Sequence, residues 1–104
     1  MPKSHMSRKI IIINEMVTVV ISHEVKNYSD WRVVFDEDEV NRTKAGFKST
    51  GVFRDVANSN KITIIGEAPN LEAFDGFMKN PALKAAMEKG GVLGMPDVKV
   101  LNKA

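Results

Sequence analysis

Ten residues, Met16-Val-Thr-Val-Val-Ile-Ser-His-Glu-Val25, constrain the fold more than any other stretch. They are mostly β-branched, hold no glycine or proline, and run into the turn-like Lys26-Asn27, a pattern that predicts a strand. Val17, Val19, Ile21 and Val25 share one parity, and Thr18, Val20, Ser22 and Glu24 share the other. Successive strand side chains point to opposite faces, so one face is built for helices. The other must be covered by something else or meet water. What covers it is the functional question.

The rest of the chain supplies the helices. Ser29 is placed to cap a helix, with Asp30 in its first turn where the helix dipole favours a carboxylate. Trp31, Val34, Phe35 and Asp38 fall on one face at helical spacing, and Arg32, Asp36, Glu37 and Glu39 on the other. This helix is expected to reach about Lys44 and end at Gly46. Lys48–Ala57 reads as a second strand, Asn58-Ser-Asn60 as a turn, and Lys61–Ala68 as the returning strand of a hairpin. Asn70 caps a helix whose buried stripe is Leu71, Phe74, Phe77 and Met78. Asn80-Pro81 restarts it with Leu83, Ala86 and Met87 inward, and Gly90-Gly91 stops it. Met95–Leu101 is a last strand whose proline suits an edge.

The order is β-α-β-β-α-β. It predicts an α+β, ferredoxin-like domain: a four-stranded antiparallel sheet with two helices on one face. That single domain is expected over residues 16–104. Residues 1–15 form an N-terminal extension in which Ser4-His5-Met6 looks like a cloning remnant and Ile10–Ile13 is a candidate extra strand.

Composition excludes several classes. The 104 residues include no cysteine, which removes disulfides, thiolate catalysis and Cys-based zinc sites. The net charge of +2 comes from scattered basic residues rather than the clustered stripe that nucleic acid needs. No apolar run approaches a membrane span and no secretory h-region is present, so a cytoplasmic protein without a membrane partner is expected. Single-stranded RNA would also need aromatics on the central strands, which carry Val17, Val19, Ile21, Ile62, Ile64 and Ile65 instead.

No glycine-rich phosphate loop points to a regulatory ligand-binding module. Sheet-on-sheet dimerisation fits best, because Val20, Val52, Val56 and Ile65 accompany Thr18, Thr63, Arg54 and Glu67 on the second face. Packing two such faces leaves a pocket between sheet and helices.

Several short patterns then resemble a known group. Val-x-Ile-x-His23-x-Val25 is followed by Tyr28-x-x-Trp31-x-x-x-Phe35-Asp36, by Val52-Phe-Arg-Asp55 and by Asn58-x-Asn60. Asn80-Pro-x-Leu-Lys-x-x-Met87, Gly90-Gly-Val and Pro96 complete the series. Together they resemble the dimeric α+β barrel superfamily, nearest to its antibiotic-biosynthesis-monooxygenase-like and cyclase-like members, over about Met16 to Leu101. The resemblance implies a homodimer and a small-molecule ligand held without a cofactor or metal. It also implies cofactor-independent oxygenation, or cyclisation and isomerisation, of an aromatic or polyketide-like metabolite. A non-catalytic ligand-binding or stress-associated oligomer is the alternative. The haem-degrading pattern of this group is not met: Trp31 lies in the first helix and no histidine follows His23.

The candidate residues follow. His23 is the one histidine inside the domain and titrates near neutral pH, which suits a base acting on an acidic phenol or quinol. The competing assignment, since His23 shares the parity of Ile21 and Val25, is a hydrogen-bonded core or strand-end histidine. Arg54 could orient an oxyanion, or pair across strands with Glu67. Strand alternation puts Arg54 and Asp55 on opposite faces, so at most one of them serves a pocket. Trp31 and Phe35 could line a ligand or simply fill the core. Phe53, Asp55 and Glu67 complete the set of candidate substrate-binding residues.

Overall fold

Pairing of the first strand with two antiparallel partners organises the sheet. The computed structural model describes residues 16–104. The expected extension of residues 1–15, with its Ile10–Ile13 strand, lies outside the described residues. The elements are β1 (Val17–Val25), α1 (Tyr28–Glu37), α2 (Glu39–Lys44), β2 (Lys48–Arg54), β3 (Lys61–Ala68), α3 (Leu71–Met78), α4 (Pro81–Lys89) and β4 (Val92–Leu101). The sheet order is β2-β3-β1-β4, antiparallel throughout, the α+β ferredoxin-like arrangement.

Register explains the two faces of the sheet. Ile21 stands opposite Ile64 on β3 and Val98 on β4, and these residues point toward the helices. Val17, Val19, Ile21 and Val25 are buried there with Ile62, Ile64 and Ala68. From above they are covered by Trp31, Phe47, Phe74 and Phe77, each contributing roughly 1.5–3 kcal/mol by leaving water. Phe47 stacks on Phe77 at 5.6 Å between ring centroids. Its ring also occupies the space where a side chain on Gly66 would sit. The other face carries Thr18, Val20, Ser22, Thr63, Ile65 and Glu67, with Ser22 and Thr63 hydroxyls 2.9 Å apart.

Several local expectations need correction. The first helix is two: its axis breaks at Asp38, which lies between α1 and α2. Its cap is Asn27 rather than Ser29, the Asn27 side chain accepting from the Asp30 N–H. Asn70 and Asn80 cap α3 and α4 as read, but Leu71 is exposed. Gly46, at φ +79°, turns the chain from α2 into β2.

The second strand stops at Arg54 and carries a bulge at Thr50. One inserted residue inverts the parity of everything after it. Val52 therefore faces Ile64 and Arg54 faces Ile62 on the helix side, whereas Phe53 turns to the open face. Val52 and Arg54 thus leave the set expected on the second face, and Val56, fully exposed, lies in the loop after β2. The last strand starts earlier than expected, at Val92, because a second bulge sets Gly94, Met95 and Pro96 opposite His23.

Candidate active site

His23 lies on the helix face of β1, two residues beyond Ile21, and so points under the helices. The gap above it is a small chamber. Ile21 and Ile64 form the floor, Trp31, Phe35 and Arg42 one wall, Phe77, Leu83 and Met87 another, and Pro96 of the β4 bulge closes the end near His23. About 60 Å³ of it is open to the centre of a water-sized sphere.

The His23 Nδ1 is buried and has no hydrogen-bond partner; no other buried side-chain nitrogen or oxygen among the described residues shares that condition. Its ring meets Trp31 edge-on, 5.6 Å between centroids and 66° between planes. Burial penalises the imidazolium and lowers the pKa from the ordinary 6.5, opposed only in part by the polar backbone of the residue itself. The ring is therefore neutral at pH 7.

Trp31 continues into a stack. Phe35 lies against it at 4.8 Å and 25°. The Arg42 guanidinium covers the far side of Phe35, 3.7 Å from the ring centroid, and its Nη1 donates to the Phe35 carbonyl at 2.7 Å. Arg42 is only 8% exposed. Desolvation lowers its pKa, and the nearby Asp38, Glu39 and Asp36 carboxylates oppose that. None of the ion pairs among the described residues includes it. At the other end of the stack, Tyr28 sits 6.0 Å from Trp31 and is capped by the Arg54 guanidinium at 3.7 Å.

The candidate residues thus fall in four places. His23, Trp31 and Phe35 meet in the chamber. Arg54 lies on the same side of the sheet but outside the chamber walls, on Tyr28, with its Nε donating to the Ser59 carbonyl at 2.9 Å. The expected cross-strand pair with Glu67 is absent, since Glu67 stands opposite Lys48 and Thr18. Phe53 and Glu67 face away from the helices, and Phe53 is 51% exposed. The Asp55 carboxylate accepts from the Ala57 and Asn58 N–H groups and holds the hairpin loop.

No cluster of three or more His, Cys, Asp or Glu side chains among the described residues is placed to hold a metal ion. No described helix is long and apolar enough to cross a membrane.

The chain matches no protein-family model and no curated protein. Solved structures do match. A candidate antibiotic biosynthesis monooxygenase from Caulobacter crescentus superposes with a TM-score of 0.70 at 14% identity, covering 94% of this chain and 98% of that one. SnoaB, a cofactor-independent oxygenase from Streptomyces nogalater, gives 0.70 at 15% identity, over 86% of this chain and 94% of that one. A NIPSNAP family protein of unknown function from Agrobacterium tumefaciens gives 0.64 at 18% identity, over 88% and 90%. The chain shares their fold. It is the ferredoxin-like α+β fold expected from the order of the elements.

Within that fold, sequence reading missed Arg42. The signal was present: Trp31, Phe35, Asp38 and Arg42 follow one another at spacings of four, three and four, so a cation stands on the apolar stripe of α1 and α2. A charge on a buried stripe needs a partner, and that is the feature a scan for scattered basic residues overlooks.

Proposed function

We propose that the protein binds a small aromatic metabolite in the chamber between sheet and helices, with His23 as the group that takes a proton from it. The observation that carries this reading is the buried, partnerless His23 Nδ1 in an apolar wall. A neutral imidazole with a free acceptor atom, shielded from water, is prepared to accept a hydrogen bond and then a proton from a ligand O–H. Its lowered pKa keeps it in the acceptor form at neutral pH and matches it to a proton already acidified by conjugation, as in a hydroxylated quinol.

The electron-rich anion left behind can react in two ways. With dioxygen, a ring CH₂ becomes a carbonyl, one oxygen atom entering the substrate and the other leaving as water, without an added reductant. With its own carbonyl, the anion closes a ring. SnoaB, a cofactor-independent oxygenase of the same fold, favours the first course.

Arg54 reaches such an anion only by leaving the Tyr28 ring, which makes it a residue of the entrance. The working unit in this reading is a homodimer that joins through the bare sheet face, where Val20, Ile65 and Phe53 offer apolar surface. A second reading, a ligand-binding oligomer without chemistry, is favoured by the size of the chamber, since a fused-ring polyketide enters only if the helices move.

Dioxygen uptake by the protein with phenol and hydroquinone ligands, followed beside ligand-dependent thermal stabilisation, separates these readings. Uptake that disappears in His23→Gln while the ligand still stabilises the variant supports the enzyme. Stabilisation without uptake or cyclised product supports the second reading, and no stabilisation by any aromatic ligand would sink both.

A further inference from the structure

We infer that Arg42 is a ligand-anion site and that the chamber selects a single-ring aromatic carboxylate, its acid group on Arg42 and its ring against the edge of Phe35 with its far end toward His23. This rests on the chamber being a ligand site, as proposed above.

The argument starts from charge. Arg42 is 8% exposed, carries a guanidinium that stays protonated, and is in none of the ion pairs among the described residues. Among the described residues its nitrogens make one hydrogen bond, Nη1 to the Phe35 carbonyl. The only fully buried side-chain nitrogen or oxygen without a partner, among the described residues, is His23 Nδ1. The Arg42 Nε and Nη2 therefore keep open surface, and the residue lines both the chamber and the groove formed by Glu39, Thr43, Phe47 and Lys48. Two free donors on a planar, mostly desolvated cation match the two oxygens of a carboxylate. The Phe35 ring beneath and the Phe35 carbonyl hold that plane in place, so little side-chain freedom is lost when an anion docks.

Size fixes the rest of the ligand. A water needs about 10–15 Å³ of the space measured here as 60 Å³, so the chamber takes roughly four to six waters, about 120–180 Å³ of liquid. That is one benzene-type ring with a short substituent, and a tricyclic skeleton exceeds it. The edges of the Trp31–Phe35 stack and the Phe77 ring supply an apolar wall for such a ring.

Trp31 is the single tryptophan of the chain and borders the chamber, so its fluorescence reports occupancy there rather than at surface lysines. Benzoate and 4-hydroxybenzoate are titrated against the neutral isosteres benzamide and toluene, with the wild type, Arg42→Lys, Arg42→Gln and His23→Gln. The expected result is that the acids change Trp31 emission and bind at least tenfold tighter than benzamide. Arg42→Lys retains part of that preference, Arg42→Gln loses it while toluene binds as before, and His23→Gln keeps it. The acid-against-amide comparison uses the native protein, so poor folding of a variant does not blunt it. Equal binding of acid and amide overturns the Arg42 assignment but leaves the chamber standing, as does an acid preference that survives in Arg42→Gln. A chamber that binds none of the four compounds overturns both.

Discussion

At the scale of single residues, the site turns on two groups that burial has set apart from their ordinary behaviour. His23 holds its proton less tightly in the folded chain than in the unfolded one, because burial penalises the imidazolium. The unfolded state then takes up more protons as the pH falls below 6.5, so stability is complete above that value and is lost on the way down. The melting temperature should fall between pH 7 and pH 5.5, and His23→Gln should flatten that slope. A wild-type slope of opposite sign would contradict the burial of this ring. Arg42 and Arg54 show what sequence could and could not tell. Both are arginines near aromatic residues, and Arg54 sits at the end of the second strand in the hairpin. Arg42 is legible from helical spacing, whereas the face that Arg54 takes depends on the bulge at Thr50, which has no proline or glycine at the position itself to announce it.

At the scale of elements, the helix caps, the hairpin and the restart at Asn80-Pro81 were legible because each has its own local chemistry. The facing of β2 was not, since a single extra residue reverses it and alternation counted along the strand has no means to detect the insertion. Two glycines test the packing that results. A methyl group on Gly66 would lie 2.7 Å from the Lys48 carbonyl and 2.5 Å from the Phe47 ring, so Gly66→Ala should cost about 1–3 kcal/mol in urea unfolding. Gly76 is exposed in α3 with nothing within 4 Å, and Gly76→Ala should instead stabilise by roughly 0.5–1 kcal/mol, through helix propensity and a less disordered unfolded chain. Equal effects of the two changes would mean that Phe47 does not seat on β3. Phe74 is 2% exposed and stands within 6.4 Å of the Phe77 ring and 6.1 Å of the Phe47 ring. Phe74→Ala should remove about 3–5 kcal/mol, measured in the same way.

At the scale of the whole molecule, the sheet has a covered face and a bare one, and the proposed dimer follows from the bare one. Light scattering at micromolar concentration should give twice the 11.5 kDa chain mass. Ile65→Lys places a charge at the middle of that face, opposite Val20, and should return the protein to single subunits while leaving its circular dichroism unchanged. A monomeric wild type would remove the partner from the proposal.

The edge strand β4 adds one consequence. Its backbone row of donors and acceptors is interrupted where Gly94, Met95 and Pro96 bow away from β1, and proline has no N–H to offer a newcomer. A foreign strand laid alongside would find its ladder cut near the midpoint, so growth into fibrils along this margin is blocked by the same kink that seals the end of the cavity beside the histidine.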